Sequence, residues 1–273
     1  MEFQHILFEV EDEVAVITLN RPEARNALSE EMRGDFDKLL PWLAAEAGKT
    51  VKAVVITGAG TAFSAGGDIK GMKGRAAATT YDARGRMRAS HHRMYDVGHL
   101  ELPVIAAVNG AAAGAGFCLA LAADFIVATP RSRFAASFNR IGLVPDWAGL
   151  YYLPRLIGLQ KAKELVFTCR LIDAEEAKQM GVIYDIWPEE GFLDRAKAFA
   201  RRFKNASTEA LGMSKNLLNQ SFETDFKTML EMEAMAQAIA RSGDYHKQAV
   251  ARFVDKQPPL FNWEAMAKEA GGR

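Results

Sequence analysis

The chain has 273 residues, of which 49% are hydrophobic, and this is enough apolar material for a sizeable buried core. Lys plus Arg and Asp plus Glu number 34 each, so the formal net charge is zero. This balance argues against a partner recognised by overall charge, such as nucleic acid or an anionic membrane. A charged ligand must therefore be bound by local groups.

The amino-terminal stretch MEFQHILFEVEDEV is acidic and lacks the basic and apolar regions of a leader peptide. No run of about 18 apolar residues occurs, so we expect a cytoplasmic protein without a membrane partner. Cys118 and Cys169 form no CxxC motif, and the 5 histidines show no HExxH spacing. We therefore expect neither a disulfide scaffold nor a metal site.

Hydrophobic patterning in the first 60 residues predicts a hairpin, a helix and a further strand. The hairpin strands are predicted over 5–10 and 14–19, on either side of an acidic turn. A helix is predicted after Ser29, because apolar residues then recur at three- and four-residue intervals. The members of this stripe are Met32, Phe36, Leu39, Leu40 and Leu43. The next strand is predicted over 51–57.

Two Gly-rich turns follow predicted buried strands. The first is the loop through Gly58, Gly60, Gly66 and Gly67, and the second follows a strand over 104–108 and leads into a helix from about Gly114. Small residues at a helix start let a ligand approach unpaired N–H groups. Two such loops can each direct one N–H at the same carbonyl oxygen and stabilise an enolate. The alternative is that these small residues only allow close packing of helix and sheet.

Strands and helices alternate through a further predicted strand over 125–128, which indicates a largely parallel sheet covered by helices. The rest of the chain is predicted to be mainly helical. The helices are expected over 160–168, 174–180, 193–203 and 208–219, followed by one long helix over 225–254. Residues after about Phe261 are expected to be dispensable.

Five ordered segments carry a family resemblance. They read NRPEARNAL, AFSAGGDIKGM, PVIAAVNGAAAGAGFCLALAADF, IGLVPDWAGLYYLPRLIG and LIDAEEAKQMGVIYDI. In this order and at this separation they resemble the crotonase superfamily, which includes enoyl-CoA hydratases and isomerases, over roughly residues 1 to 260.

The resemblance implies an α/β fold in which ββα units wind into a spiral, followed by a C-terminal helical trimerisation region. The spiral core is expected over 1–200 and the helical region over 201–273. It also implies a homotrimer or a dimer of trimers that acts on an acyl-CoA thioester. Because coenzyme A is part of such a substrate, no separate cofactor is expected.

The family's oxyanion-hole donors, carried over residue by residue, are the backbone N–H groups of Gly67 and Ala115. The hydratase branch uses two glutamates to activate a water, and their positions correspond here to Cys118 and Phe138. Neither side chain is a carboxylate, which argues against hydration of 2-enoyl-CoA. Cys118 is interpreted as a small packed residue rather than a nucleophile.

Asp146 is the one acid in the segment IGLVPDWAGLYYLPRLIG, and it matches the catalytic carboxylate of isomerase branches. The segment is most similar to the epoxyphenylacetyl-CoA isomerase branch. One carboxylate suffices for a 1,3-proton shift, and its apolar neighbours are expected to raise its pKa. From the local sequence alone, Asp146 is equally well a helix N-cap.

The function expected is therefore an acyl-CoA isomerase that works through an enolate, by double-bond shift or ring opening. Several alternatives stay open. The same carboxylate position also occurs in dehalogenases and in ring-closing enzymes that form naphthoates. A hydratase-like lyase, an acyl-CoA dehalogenase or hydrolase, and a non-catalytic acyl-CoA-binding protein are the remaining candidates.

By the same resemblance, two segments are expected to bind the adenine and pantetheine of coenzyme A. Their residues are Glu23, Ala24 and Arg25, and Ala65, Asp68, Ile69 and Lys70, of which Asp68 is also expected to hold a turn. Phe253 and Lys256 match a tail motif that reaches the coenzyme A of a neighbouring subunit. Solvated surface charge is the alternative for Arg25, Lys70 and Lys256. The acyl pocket is expected to include Met72, Met94, Trp147 and Leu150.

Overall fold

The computed structural model describes residues 2–69, 71 and 79–269. The chain begins with a hairpin of two antiparallel strands, β1 (Ile6–Glu11) and β2 (Val14–Leu19), which confirms the predicted hairpin to within one residue. Asp12 and Glu13 form its turn with positive φ angles.

Three successive pairs of strands follow, each made of a longer and a shorter strand. The longer strands are β3 (Ala53–Gly58), β5 (Val104–Val108) and β7 (Phe125–Ala128), and they are parallel neighbours in one sheet. The shorter strands are β4 (Ala62–Ser64), β6 (Ala111–Ala113) and β8 (Arg133–Ala135), and they are parallel neighbours in a second sheet. This regular alternation between two sheets confirms the spiral of repeated units.

Two short strands complete the sheets. With β9 (Ile172–Asp173) and β10 (Asp185–Ile186), the larger sheet has the order β1-β2-β3-β5-β7-β10 and the smaller β4-β6-β8-β9.

The helices lie between and after these strands. Up to residue 168 they are α1 (Glu30–Glu46), α2 (Thr80–His99), α3 (Ala115–Leu121), α4 (Gly149–Ile157) and α5 (Leu159–Thr168). They continue as α6 (Ala174–Met180), α7 (Phe192–Arg201), α8 (Thr208–Gln220), α9 (Phe226–Ser242), α10 (Asp244–Val254) and α11 (Trp263–Glu269). Short 3-10 turns cover Pro22–Ala24 and Ser137–Ile141.

The larger sheet is buried on both faces. Alternate side chains of β2 point to opposite sides, so Ile17 and Leu19 join the core that contains α1 and α3, whereas Val14 and Val16 pack with α7. This explains why its strands read as continuous apolar runs rather than as alternating patterns.

The C-terminal region differs from the prediction in two places. The single long helix expected over 225–254 is divided into α9 and α10 at Gly243, whose backbone is extended at φ −71° and ψ 156°. The expectation that residues after Phe261 are dispensable was wrong, because the Trp263 ring packs on Phe199 and Phe203 with centroid distances of 5.4 and 5.1 Å.

Helices α9 and α10 bury no side chain within the chain, and apolar residues on them remain exposed. These include Phe226, Met235, Ile239, Phe253 and Val254. Their use in trimerisation stays a prediction. In the described part of the chain, no helix combines the length and apolar character needed to cross a membrane.

Candidate active site

The two Gly-rich loops meet directly. Gly66 follows β4 with φ +90°, and a Cβ atom added there would lie 2.5 Å from the carbonyl oxygen of Ala113 and 3.0 Å from the backbone nitrogen of Ala115. Only glycine fits such a conformation and such a close approach. The loop that carries Gly67 is therefore held against the first residue of α3, so both predicted oxyanion donors lie in one region.

Backbone and hydroxyl groups fix the first loop. The Ser64 hydroxyl accepts a hydrogen bond from the Gly66 N–H (3.2 Å) and donates one to the Asn26 carbonyl (2.7 Å). The Leu28 N–H donates to the Gly66 carbonyl at 2.8 Å. The Gly67 N–H makes no hydrogen bond to any residue in the described ranges, so it is available to a ligand.

The second loop leads into α3 through Gly114, which has φ +51° and donates its N–H to the Ala135 carbonyl at 2.9 Å. The first intrahelical hydrogen bond runs from the Cys118 N–H to the Gly114 carbonyl at 3.0 Å. The Ala115 N–H precedes this ladder and is one of the unpaired donors of a helix start. Gly116 permits the close packing, because its Cβ would lie 2.6 Å from the Ser64 side chain.

Two residues that the sequence analysis did not single out stabilise this arrangement. Asn26 is completely buried and donates to the carbonyls of Ala59 (2.9 Å) and Ala62 (2.8 Å). Arg21 donates to the Ala27 carbonyl at 2.9 Å and to an Asp68 carboxylate oxygen at 3.1 Å. Both residues lie in the NRPEARNAL motif, so this motif carried a signal for a structural role beside the expected binding of coenzyme A.

Asp146 lies in the irregular segment between the turn Ser137–Ile141 and α4. The two residues that follow it, Trp147 and Ala148, have left-handed φ angles of 53° and 58°. The N-cap of α4 is Ala148, and no side chain caps the helix, so Asp146 is not an N-cap. Its Oδ1 atom is buried and has no hydrogen-bond partner among the described residues.

The environment of Asp146 favours the protonated acid more than water does. Burial raises the pKa of this carboxyl, while the His91 and Arg33 side chains act in the opposite direction. The neighbouring Trp147 side chain is only 2% exposed. Unsatisfied, partly desolvated carboxylates of this kind are typical of functional sites.

The two positions of the hydratase glutamates carry uncharged side chains in this structure. The Cys118 sulfur packs against Gly149, at 2.5 Å from the site of a Cβ there, and burial together with the Asp146 charge raises the pKa of the thiol. The thiol therefore stays protonated at neutral pH and is a poor nucleophile. The Phe138 ring lies 3.9 Å from the Cβ position of Gly114 and is almost fully buried.

The structure joins the two segments predicted to bind coenzyme A. The Ala65 N–H donates to the Arg25 carbonyl at 2.8 Å, and Glu23, Arg25 and Ile69 are exposed whereas Ala24 is half-buried. Asp68 holds the end of its loop by accepting from the Gly71 N–H at 3.1 Å, as expected for a turn. Lys70 lies outside the described residues.

The predicted acyl-pocket residues are divided between the interior and the surface. Trp147 and Met94 are buried, Leu150 is half exposed at 51%, and Met72 lies outside the described residues. Phe253 and Lys256 are exposed at the end of α10, and within the described ranges no hydrogen bond or ion pair links either side chain to the loops above.

A separate cavity of about 470 Å³ lies at the far end of α3, between α4 and α8, and contains none of the predicted catalytic residues. Asp124 and Lys215 line it as an ion pair at 2.8 Å. In the part of the chain that the structure describes, no cluster of three or more His, Cys, Asp or Glu side chains is arranged to hold a metal ion.

The chain matches known proteins over almost its full length. The family profile described as enoyl-CoA hydratase/isomerase matches residues 9–264. A probable enoyl-CoA hydratase of Rhodobacter capsulatus is 35% identical, with 96% of this chain and 99% of that protein covered. The 1,2-epoxyphenylacetyl-CoA isomerase of Escherichia coli is 34% identical, with 96% of this chain and 98% of that protein covered.

The fold is also that of solved relatives. The crystal structure of an enoyl-CoA hydratase/isomerase from Cupriavidus metallidurans superposes with a TM-score of 0.90 at 35% identity, covering 96% of this chain and 97% of that one. The chain therefore belongs to the enoyl-CoA hydratase/isomerase family of the crotonase superfamily.

Proposed function

We propose that this enzyme is an acyl-CoA isomerase in which Asp146 is the only side chain that moves protons. The observation that carries the proposal is the buried Oδ1 atom of Asp146, which has no hydrogen-bond partner in the described ranges. The uncharged Cys118 and Phe138 at the two hydratase positions support the same conclusion, since neither activates a water.

The proposed reaction is a 1,3-proton shift on a 3-enoyl-CoA thioester. The N–H groups of Gly67 and Ala115 donate to the thioester oxygen, which makes the C2 proton more acidic. The Asp146 carboxylate removes that proton, and the electron pair is delocalised into a dienolate. The protonated Asp146 then returns the proton at C4, so that the double bond moves from C3 to C2 with no net gain or loss of atoms.

The electrostatics of Asp146 suit both halves of this cycle. Burial raises the pKa of the carboxyl, so that its protonated form is accessible after it has taken the C2 proton. The His91 and Arg33 side chains act in the opposite direction and favour the ionised form that must begin the cycle. The buried rings of Phe138 and Trp147 exclude water, which would otherwise protonate the dienolate.

Hydration is the second candidate, and the names of relatives favour it. The 34% identical relative in Clostridium acetobutylicum is a short-chain-enoyl-CoA hydratase. The E. coli relative, by contrast, is an isomerase of an epoxide-bearing phenylacetyl-CoA. A cyclic or aromatic acyl group therefore belongs in any substrate panel for this chain, beside linear enoyl groups.

The test is proton exchange and product formation followed by NMR in D2O. Wild type and Asp146→Asn are given 3-enoyl-CoA, 2-enoyl-CoA and phenylacetyl-type CoA thioesters. We expect the wild type to convert 3-enoyl-CoA to 2-enoyl-CoA with deuterium at C2 or C4, and Asp146→Asn to lose this conversion by at least about 10³-fold. Asp96→Asn makes the same chemical change at an exposed carboxylate on α2 and should retain wild-type rates.

Binding must be measured alongside turnover. Calorimetry should give similar affinities of wild type and Asp146→Asn for an unreactive saturated acyl-CoA, because the carbonyl is held by backbone donors. Conversion that persists in Asp146→Asn would refute the proposed role of the carboxylate. Addition of water to 2-enoyl-CoA by the wild type would favour hydration, and binding without any exchange would indicate a non-catalytic protein.

A further inference from the structure

Arg33 lies beside the proposed catalytic acid on a different element. It projects from the first turn of α1, and its guanidinium carbon is 5.3 Å from the centroid of the Trp147 ring. A cation at this distance over an indole face is attracted by the ring's quadrupole. Because Trp147 directly follows Asp146 in the chain, this contact links α1 to the segment that presents the carboxylate.

The segment that receives this contact is conformationally unusual. Trp147 and Ala148 are consecutive non-glycine residues in the left-handed region, with φ angles of 53° and 58°. Such residues persist only where the surroundings hold them, and they concentrate at functional sites. The contact of Arg33 with the Trp147 ring falls on this turn, directly after Asp146.

The position of Arg33 is itself fixed. The Arg93 side chain of α2 donates to the Arg33 carbonyl at 3.1 Å and forms two 2.6 Å hydrogen bonds with the Asp37 carboxylate. Ser29 caps the start of α1 by accepting from the Met32 N–H. These hydrogen bonds attach the turn of α1 that bears Arg33 to α2 and so fix its position.

Three ionisable side chains on three helices interact electrostatically with the Asp146 carboxyl. Arg33 lies on α1, His91 on α2 and the buried thiol of Cys118 on α3. His91 is exposed to solvent, whereas Arg33 is half-buried, so the Arg33 charge is screened less by water and salt. Arg33 also stays charged at every pH of interest.

We propose that Arg33 is a positioning residue for Asp146: its guanidinium holds the Trp147–Ala148 turn through the indole ring and supplies the permanent countercharge for the half-buried carboxylate. The catalytic consequence of this role rests on the proposed function. The structural and electrostatic parts do not, because they concern the ionisation of Asp146 in the free enzyme.

The test compares Arg33→Met, Arg33→Lys and the matched variant Lys38→Met, which removes an exposed cation from the same helix. Ionisation of Asp146 is followed directly by the infrared C=O band of its protonated carboxyl, assigned as the band that Asp146→Asn removes. Loss of the countercharge in Arg33→Met should move the midpoint of this titration to higher pH. In Arg33→Lys the pH midpoint of this titration should lie close to the wild-type value, because the positive charge is kept. In Lys38→Met the midpoint should equal that of wild type.

Kinetics separate positioning from a general loss of structure. For Arg33→Met we expect kcat for isomerisation to fall about tenfold with KM within twofold of wild type, because the carboxylate is misaimed while thioester binding is intact. Arg33→Lys should recover part of kcat at most, since a lysine lacks the planar group that stacks on the ring. If Arg33→Met does not fold, Arg33→Gln takes its place.

An unchanged infrared midpoint in Arg33→Met or Arg33→Gln would overturn the inference, whatever the turnover. An equal loss of kcat in Arg33→Met and Lys38→Met would overturn the inference as well, because the effect would then be one of net charge. The proposed function fails in a different experiment, namely if Asp146→Asn retains isomerisation. The two failures are therefore distinguishable.

Discussion

Substitution of Gly66 by alanine probes the contact on which the oxyanion site depends. The added methyl group would lie 2.5 Å from the Ala113 carbonyl oxygen, and the backbone there has φ +90°. Gly181→Ala is a matched control, because its φ is +86° but the nearest atom is an ordinary 3.6 Å away. The two variants share backbone strain, and only Gly66→Ala forces the two loops apart.

The expected magnitudes follow from these two effects. The left-handed alanine costs roughly 1–2 kcal/mol in each variant, which lowers Tm by roughly 2–8 °C for a chain of this size. In Gly66→Ala the loops must also separate by about 1 Å to reach ordinary contact, which displaces the Gly67 N–H from the thioester oxygen. Loss of one oxyanion donor lowers kcat by about 10²–10³-fold, equivalent to ~3–4 kcal/mol.

The assay is kcat for C2 proton exchange of an acyl-CoA in D2O, together with Tm, for both variants and wild type. We expect a loss of Tm in both variants that is larger in Gly66→Ala, because of the added backbone contact, and a loss of kcat in Gly66→Ala alone. If Gly66→Ala exchanges the C2 proton as fast as Gly181→Ala, the contact between the loops does not position a donor and the reasoning fails.

Three further predictions concern ionisable groups. Because Asp146 must be ionised to accept a proton and burial raises its pKa, kcat/KM for isomerisation should fall on the acid side at a pH above the ordinary Asp range. The same raised pKa means that ionisation opposes folding above the pKa of the unfolded chain, so Asp146→Asn should stabilise the protein near pH 7 and bring no such gain below the ordinary Asp range. Lys215→Met should lower the free energy of unfolding by about 1–2 kcal/mol, because the Asp124 carboxylate, whose side chain is 25% exposed, then loses its partner at 2.8 Å and keeps the hydrogen bond from the Val104 N–H.

Each of these predictions has its own control. A pH profile of Asp96→Asn should superimpose on that of wild type, and an acid limb in the ordinary Asp range would contradict the first prediction. Denaturant unfolding of Asp146→Asn at pH 3 and pH 7 tests the second, which fails if the stability difference does not depend on pH. The double variant Lys215→Met/Asp124→Asn should regain part of the free energy of unfolding. If the single and double variants lose the same amount, the prediction for Lys215→Met is refuted.

Patterns that depend on neighbours in sequence predicted the fold well. The hairpin, the stripe of α1 and the strand at Val104–Val108 all follow from periodicity, which depends on local spacing alone. The break at Gly243 was missed because the apolar stripe continues across it. A single glycine is tolerated within a helical pattern, so the sequence did not distinguish one helix from two.

The contacts that form the candidate site, by contrast, could not be predicted from local sequence patterns. Asn26 binds carbonyls 33 and 36 residues further along the chain, and no local pattern reports such pairing. The contact of Arg33 with Trp147 likewise joins positions on two separate elements. For Asp146, the sequence left an N-cap and a catalytic acid equally plausible. The two left-handed residues after it exclude the N-cap, and their conformation follows from tertiary packing rather than from residue type.

The three strand pairs of the spiral separate the tasks of the enzyme along the chain. The first pair leads to Gly67, the second to Ala115, and the third to Phe138 and Asp146. In the proposed isomerase mechanism the first two contribute main-chain N–H donors, and the third contributes the Asp146 carboxylate. If the proposed roles hold, substitutions in the segment after β8 should change the proton-transfer step and leave the affinity for the thioester unchanged.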